Sequence, residues 1–361
     1  MTVAASLGGT SPPRPIGFGI YGPGMIAGYH ARAIAQIAGA RLVAVAGRSA
    51  ERAADFALRH GADFVGGGME ELAARPEVDV ICVTTSAGMH LAPALIAIRA
   101  GKHVVIEKPM EIATARCDQM LTAAEAAGVW LVPIFQGRFG AGAAATKAAV
   151  AAGRLGRLVL ASAYVKWHRT PLYYTGTRGS WAGDGGGALM SQAIHALDLL
   201  QWFVGLPAEV FCRTTRRVHR EIEVEDTAVA TLRYADGALG TVEATTAAWP
   251  GWQRRIELCG DQGSITLEDD RIARWDFREE RPEDPIFRTP QRGGDLGSGA
   301  SAPDAIDVEG HRRQLQDLVE ALCEGRSPAV SGRSGRDGVA LVEALYASAA
   351  RKVPVRLYEF A

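Results

Sequence analysis

The sequence has few cysteines, no excess of charge of either sign and no long apolar run. Its five cysteines show no CxxC spacing, which predicts buried thiols in a reducing compartment and no metal site. The 39 basic and 40 acidic residues nearly cancel, which argues against binding to nucleic acid or to membranes driven by charge. No apolar run approaches the ~20 residues that cross a bilayer. We therefore expect a globular protein of the cytoplasm.

The length of 361 residues predicts two domains. Residues 1–14 have neither the basic start nor the apolar segment of a secretion signal, and we expect them to form a disordered tail. From there to Phe135, apolar strand-like runs alternate with helix-like runs. This alternation predicts parallel strands with helices on both faces, so we assign 15–135 to an α/β, doubly wound dinucleotide-binding domain of the Rossmann type.

Beyond this point strand-like runs follow one another with turn signals between them. Residues 136–361 are therefore predicted to form an α+β domain with a mainly antiparallel sheet. We expect one long helix over 188–204, surface loops over 277–308, and two closing helices over 310–324 and 335–350.

The first motif lies where the first strand, 16–21, meets the sequence GPGMIA. Gly22 allows a tight turn, Gly24 leaves room for a pyrophosphate, and Ala27 lets the following helix pack on the strand. Phosphates would bind at the positive N-terminus of that helix. An ordinary glycine-rich turn between strand and helix has the same pattern. The contacts expected here are Gly22, Gly24, Met25 and Ile26.

The second motif is AGKHVVIEKP, residues 100–109. Its strand delivers Glu107 and Lys108 to the carboxyl edge of the sheet, where open α/β folds bind ligands. Pro109 restricts the backbone of Lys108 to an extended conformation. Such a lysine can exchange a proton with a substrate hydroxyl, because burial and nearby charge adjust its pKa. A surface lysine at a strand end is the alternative.

The third motif is GGGALMSQAIHALDLLQW, residues 185–202. Ser191, His195 and Asp198 share one face if this segment is a regular helix. Histidine suits proton transfer near neutral pH, although a core histidine bonded to a backbone carbonyl fits the pattern too. For Asp198 we expect a structural role.

Together, in this order and at these separations, the three motifs resemble the Gfo/Idh/MocA family of NAD(P)-dependent oxidoreductases. The resemblance implies a Rossmann domain followed by a domain with a large open sheet. In such proteins the sheet commonly packs against another subunit, which implies a homodimer or homotetramer. The implied substrates are sugars, cyclitols and their derivatives, in which one carbinol is oxidised or one carbonyl reduced.

By this resemblance Lys108 and His195 are the catalytic candidates, and which of them is the base stays open. The chain departs from the family at Ser191, where many members have an aspartate. A hydroxyl bonds a sugar but holds no negative charge near neutral pH, so more of the expected proton transfer falls on Lys108.

The end of the second strand bears on the choice of cofactor. Enzymes that prefer NAD usually carry an acidic residue here, whereas this chain has Gly47. Arg48, Ser49 and Arg52 follow it, and a guanidinium matches a phosphate by bidentate bonding. We expect a preference for NADP over NAD, with NAD as the alternative. The competing interpretation is that the two arginines only solvate a helix start.

The resemblance also implies further contacts. Those to the cofactor are Thr84, Thr85, His90, Glu107, Lys108 and Gln136. Polar and aromatic residues also cluster in 166–181, which predicts a sugar-binding set; with the residues above and Arg138, the expected substrate contacts are Lys108, Arg138, Trp167, His168, Arg169, Tyr173, Arg178, Trp181, Ser191 and His195. Aromatic faces can cover the C–H surface of a sugar ring while Arg and His bond hydroxyls or a carboxylate. A well-packed loop between domains explains the segment 166–181 equally well.

The leading functional interpretation is an NAD(P)-dependent sugar or polyol dehydrogenase or reductase. One alternative is a glycosidase that oxidises, eliminates and re-reduces with tightly bound nicotinamide. The other is a non-catalytic NADP-binding regulator, against which the retained Lys108 and His195 argue.

Overall fold

The computed structural model describes residues 14–288 and 307–360. Its chain divides into two compact units. The first comprises the described residues up to Glu111, with Ala115–Gln136 and Val308–Arg336; the second comprises Ile112–Thr114, the described part of Gly137–Asp307, and the described residues from Asp337 onward. The expected tail lies outside the described residues except for Arg14. Within the described ranges no helix combines the length and apolarity needed to cross a membrane.

The strands are β1 (Ile16–Tyr21), β2 (Ala40–Ala46), β3 (Phe64–Gly66), β4 (Val80–Val83), β5 (His103–Ile106), β6 (Leu131–Pro133), β7 (Leu158–Lys166), β8 (Glu209–Thr215), β9 (Thr227–Arg233), β10 (Leu239–Thr245), β11 (Arg255–Gly260), β12 (Gly263–Glu268), β13 (Arg271–Phe277) and β14 (Val355–Arg356). The α-helices are α1 (Met25–Ile34), α2 (Ala50–His60), α3 (Met69–Ala73), α4 (Leu91–Arg99), α5 (Thr114–Ala127), α6 (Ala141–Ala151), α7 (Trp181–Asp184), α8 (Ile194–Val204), α9 (Asp284–Arg288), α10 (Glu309–Glu324) and α11 (Gly332–Arg351). A π-helix, Ala188–Ala193, precedes α8.

The first unit contains a six-stranded parallel sheet in the order β3-β2-β1-β4-β5-β6. Its central strands are continuous apolar runs, as expected of strands covered on both faces, and Ile20, Ile81 and Val105 are completely buried. This confirms the predicted doubly wound fold. The short elements β3 and α3 were not predicted, because three to five residues are too few to show a hydrophobic period.

Helix α10 belongs to the first unit, where it packs against α1. Its buried face includes Leu315 and Leu318, as the sequence pattern predicts. We had expected this helix in the second domain. The amphipathic pattern shows that one face of the helix is buried, but not which element covers that face. The sequence therefore could not show to which unit the helix belongs.

The second unit contains an eight-stranded sheet in the order β13-β12-β11-β7-β10-β9-β8-β14. Every neighbouring pair is antiparallel except β7 and β10, which are parallel, so the predicted mainly antiparallel sheet is confirmed. The expected loop over 277–308 is wrong at α9, and 289–306 lie outside the described residues. Packing of this sheet against a second copy stays a prediction.

Candidate active site

The glycine turn after β1 adopts the conformation that the first motif predicts. Gly22 has a positive φ of 99°, and a Cβ there would approach the Thr85 side chain to 2.9 Å. The hydroxyl of Thr84 donates toward the carbonyls of Tyr21 (3.1 Å) and Gly22 (2.9 Å). The turn is therefore closed on one side by the residues that follow β4.

Two features of the first unit fit a dinucleotide. Helix α1 begins after Gly24, which offers no side chain to cap it, so its first N–H groups are left for a ligand such as a phosphate. In addition, the buried Oε1 atom of Gln136 has no hydrogen-bond partner within the described part of the chain. Met25 is half exposed in the first turn and Ile26 is partly buried behind it.

At the end of β2 a side chain would not fit against the glycine turn. A Cβ on Gly47 would lie 2.6 Å from Cδ of Pro23, so a carboxylate at this position would displace the proline. Ser49 caps α2, its Oγ accepting the N–H of Arg52 at 3.3 Å. Arg48 and Arg52 are exposed, and neither guanidinium forms an ion pair with another described residue.

The loop after β4 has a structural histidine. His90 is completely buried; its Nδ1 lies 3.1 Å from the carbonyl oxygen of Pro109, and its Nε2 lies 3.0 Å from that of Thr85. Burial lowers the pKa of its imidazole. The ring therefore holds the turn after β5, and the contact of His90 with the cofactor stays a prediction. Thr85 is partly exposed and donates to the carbonyl of Met89.

The motif after β5 places its two charged residues differently. Lys108 is half-buried, whereas the carboxylate of Glu107 is buried and points away from solvent. One oxygen of Glu107 lies 2.8 Å from Nε2 of His30, and the other accepts the backbone N–H of Lys108 at 3.1 Å. The Glu107 side chain is therefore engaged in the interior, and its contact with the cofactor stays a prediction. Sequence reasoning missed His30, although its place on the buried face of α1 could have indicated it.

In the second unit the triple-glycine motif is held by a buried carboxylate. Glu225 accepts the backbone N–H groups of Gly187 (3.0 Å) and Leu189 (2.9 Å) and the hydroxyl of Tyr346 (2.9 Å). Burial raises the pKa of Glu225. These bonds satisfy donors at the start of the π-helix, which otherwise have no partner within the helix.

The predicted regular helix over 188–204 is wrong in its first six residues, which form the π-helix. Because a π-helix bonds i to i+5, Ser191 does not stand in simple α-helical register with His195. The Ser191 hydroxyl donates to the carbonyl of Gly187 at 2.7 Å. His195 is half-buried in the first turn of α8, and Asp198 is buried one turn later.

Gln192 joins several of the predicted substrate residues into one network, and sequence reasoning missed it. Its Oε1 accepts from Arg169 at 2.8 Å, while its Nε2 donates to the Tyr173 hydroxyl at 2.8 Å and to Ser191 Oγ at 3.2 Å. Arg169 is nearly buried, and burial lowers its pKa. The one signal in the sequence for Gln192 is that it is a polar residue within a largely apolar stretch.

Aromatic rings surround this network. The Arg169 guanidinium lies 5.0 Å from the ring centre of Trp167 and 5.3 Å from that of Tyr173. The exposed Arg178 stacks on Tyr173 at 4.5 Å. Five predicted residues, Trp167, Arg169, Tyr173, Arg178 and Ser191, are therefore brought together.

The remaining predicted substrate residues have other partners. Arg138 is buried and forms a bidentate ion pair with Asp198, at 2.9 and 2.6 Å, which accounts for the structural role expected of that aspartate. Burial raises the pKa of Asp198, and the guanidinium opposes this. Trp181 is half exposed and packs edge-on against Tyr346. His168 packs edge-on against Trp249.

Comparison with known proteins gives matches over both units. Residues 16–135 match the family described as "Oxidoreductase family, NAD-binding Rossmann fold", and residues 143–266 match the "GFO/IDH/MocA C-terminal domain". Myo-inositol 2-dehydrogenase of Thermotoga maritima is 29% identical, covering 94% of this chain and 98% of its own length. The 1,5-anhydro-D-fructose reductase of Ensifer adhaerens is 31% identical over 63% of this chain and 68% of its own.

Among solved structures, the WlbA dehydrogenase of Bordetella pertussis in complex with NADH and UDP-GlcNAcA superposes with a TM-score of 0.85. It is 32% identical and covers 95% of this chain and 98% of its own. The two family matches together span more than half of the sequence. The chain therefore belongs to the Gfo/Idh/MocA family and is an NAD-binding oxidoreductase of that family.

Proposed function

We propose that this chain transfers a hydride between a nicotinamide dinucleotide and a carbinol or carbonyl carbon of a sugar, anhydrosugar, cyclitol or sugar derivative. The observation that carries the proposal is the half-buried Lys108, the second residue after β5, whose backbone N–H donates to Glu107. In the parallel sheet, β4 lies between β1 and β5. Lys108 and the glycine turn therefore both lie at the carboxyl edge of this sheet.

A bound dinucleotide supplies the hydride acceptor for oxidation or the donor for reduction. The glycine turn with the start of α1, and the unpaired oxygen of Gln136, are the groups of this chain that would hold it. Lys108 Nζ takes the hydroxyl proton when an alcohol is oxidised and returns it when a carbonyl is reduced. His195, in the second unit, is the other candidate for this proton, and Ser191 contributes a neutral hydrogen bond.

The chemistry of the Gln192 network favours a polyhydroxylated or anionic substrate. Arg178 is exposed beside Tyr173, so a cation and an aromatic face are offered together. Relatives are named for inositol and anhydrofructose, and the Bordetella structure contains the nucleotide-linked sugar acid UDP-GlcNAcA. These compounds share adjacent hydroxyl groups on a six-membered ring and define the class that we propose.

NADP is the proposed preferred cofactor. Gly47 has no carboxylate that would repel a 2′-phosphate, and the contact with Pro23 leaves no room for a side chain at this position. Arg48 and Arg52 are exposed near the start of α2 without an ionic partner among the described residues. Two unpaired guanidinium groups suit a phosphate dianion.

A substrate panel tests the proposal. Myo-inositol, 1,5-anhydro-D-fructose, glucose and UDP-GlcNAcA are each incubated with oxidised or reduced NAD and NADP, and the nicotinamide absorbance is followed. We expect turnover with at least one compound. Release of the phenol from an aryl glycoside without net absorbance change would show a redox-elimination glycosidase instead, and tight dinucleotide binding without any turnover would favour a regulator.

A further inference from the structure

Three buried titratable side chains, those of His30, Glu107 and His311, lie together in the first unit. His30 comes from α1 and is completely buried, while His311 comes from the first turn of α10 and is 1% exposed. Oε1 of Glu107 lies 2.8 Å from Nε2 of His30 and 3.6 Å from Nε2 of His311. The two imidazole rings stand edge to face, with their centres 5.4 Å apart. A cluster of this kind is costly to bury, so it calls for an explanation.

The charge of the cluster resides on the carboxylate. Burial alone would raise the pKa of Glu107, but the hydrogen bond from His30 and the approach of His311 outweigh burial and lower that pKa well below its ordinary value. Burial lowers the pKa of His30, so near neutral pH its imidazole is neutral and Nε2 donates the hydrogen bond. One oxygen of the carboxylate therefore accepts from His30 and lies near His311, and the other accepts the backbone N–H of Lys108.

We propose that His30 and His311 are positioning residues for Lys108, which hold the Glu107 carboxylate in the one orientation that fixes the lysine backbone. The proposal rests on the function proposed above for Lys108. It also connects two functional segments, because His30 lies on α1, whose first turn follows the glycine motif. A displacement of about 1 Å in a reacting group can cost ~100-fold in rate, so a rigid support of this kind affects turnover directly.

A hydrogen bond explains the distance between His30 and Glu107 better than a metal ion does. The three candidate ligand atoms lie within 4.8 Å of one another, which a divalent metal could also bridge. Ligand atoms about 2.0–2.1 Å from a tetrahedral zinc stand ~3.3 Å apart. The 2.8 Å separation between His30 and Glu107 is instead the length of an ordinary N–H···O hydrogen bond.

The test compares substitutions that remove the hydrogen bond with one that restores it. His30→Leu removes the donor, whereas His30→Gln places an amide N–H near the position of Nε2. Turnover is measured with the best substrate of the panel described above. We expect kcat of His30→Leu to fall 10- to 100-fold with KM for the dinucleotide within ~3-fold of wild type, and His30→Gln to regain most of the loss.

A second readout needs no substrate. Reductive methylation with ¹³C-formaldehyde labels lysine amines, and the Lys108 resonance is identified by its absence in Lys108→Met. We expect this resonance to shift in His30→Leu and in Glu107→Gln. The second variant keeps the shape of the side chain, so it serves as the test if His30→Leu folds poorly. The control is His103→Leu, at the opposite end of β5, where Nδ1 accepts the backbone N–H of Trp130 at 3.0 Å. This variant should lose stability but keep both kcat and the resonance.

The outcomes separate this proposal from the proposed function. If Lys108→Met abolishes turnover while His30→Leu keeps kcat within 3-fold and leaves the resonance unmoved, the positioning role is refuted and the function stands. If Lys108→Met keeps full turnover, the role proposed for the lysine has failed. One equivalent of bound zinc in the purified protein, lost in His30→Leu, would show a metal site and overturn the positioning proposal.

Discussion

The carboxylate of Glu107 accepts the backbone N–H of Lys108 at 3.1 Å, so the residue before the candidate catalytic lysine turns inward to hold it. This contact separates the roles of two adjacent charged residues. Lys108 is half-buried, while Glu107 belongs to the interior. In the function proposed above, the motif after β5 contains one residue for proton transfer and one residue that supports it.

The first prediction concerns cofactor choice. Replacing Arg48 and Arg52 together by alanine should weaken NADPH binding by at least ~10-fold, because each charge-assisted hydrogen bond to a phosphate contributes ~1.5 kcal/mol or more. NADH lacks the 2′-phosphate, so its dissociation constant should change little. Quenching of protein fluorescence on titration with each dinucleotide measures both constants.

Arg59→Ala is the matched control for that experiment. Arg59 is exposed in the last turn of the same helix α2 and is paired with Asp55 at 2.7 Å. Its loss should leave the ratio of NADPH to NADH affinity unchanged. A wild-type protein that binds NADH more tightly than NADPH would refute the proposed preference.

The second prediction concerns the support of the π-helix. Glu225→Gln cannot accept both the Gly187 and Leu189 N–H groups, so we expect a loss of ~2 kcal/mol in the free energy of unfolding. Tyr346→Phe removes one hydroxyl and should cost ~1 kcal/mol. Glu221→Gln, an exposed carboxylate four residues earlier, should change the value by less than ~0.5 kcal/mol. Urea denaturation measures the free energy of unfolding of all three variants. An equal loss in Glu225→Gln and Glu221→Gln would contradict the proposed role of Glu225 as a cap.

The third prediction concerns pH. Because burial lowers the pKa of His30 from its ordinary 6.5, below that value the unfolded chain binds a proton that the folded chain does not. The free energy of unfolding should therefore fall as the pH drops below about 6.5, by up to ~1.4 kcal/mol per pH unit from this residue. Glu107, with a lowered pKa, stabilises the fold throughout this window and loses its contribution only at lower pH.

Urea denaturation at about pH 7.5 and about pH 5.5 checks this dependence. Burial also lowers the pKa of His90, His103 and His60, so the wild-type slope contains contributions from these residues in the same direction. His30→Gln should reduce the slope without abolishing it. An identical slope in the two proteins would show that His30 is not buried in its neutral form.

Some elements could be predicted closely from the sequence because their signals are local. The bounds of helix α2 have local signals in the sequence, since Ser49 caps its N-terminus and Gly61, at a φ of 72°, ends it. Strand β5 has local signals too, because Gly101 and Lys102 precede it and two charged residues follow it. In both cases the determining residues lie next to the element.

Other features depend on residues that are distant in the sequence. The π-helix is held by Glu225, which lies on a later segment of the second unit. The interior position of Glu107 depends on His311, which α10 brings from near the end of the chain. His30 lies on the same face of α1 as Ala27 and Ile34, and a histidine on an apolar face does indicate a buried titratable group. Its partner, however, could not be found from periodicity.

The most direct test of the central claim is the turnover of Lys108→Met on the best panel substrate, measured beside dinucleotide binding. We predict a ~100- to 10,000-fold loss of kcat, as expected for removal of a general acid or base, with dinucleotide binding still detectable. The control is Lys102→Met, whose Nζ donates to the Arg75 and Val78 carbonyls at 2.8 Å before β5, and this variant should keep wild-type kcat. Unchanged turnover in Lys108→Met would contradict the account.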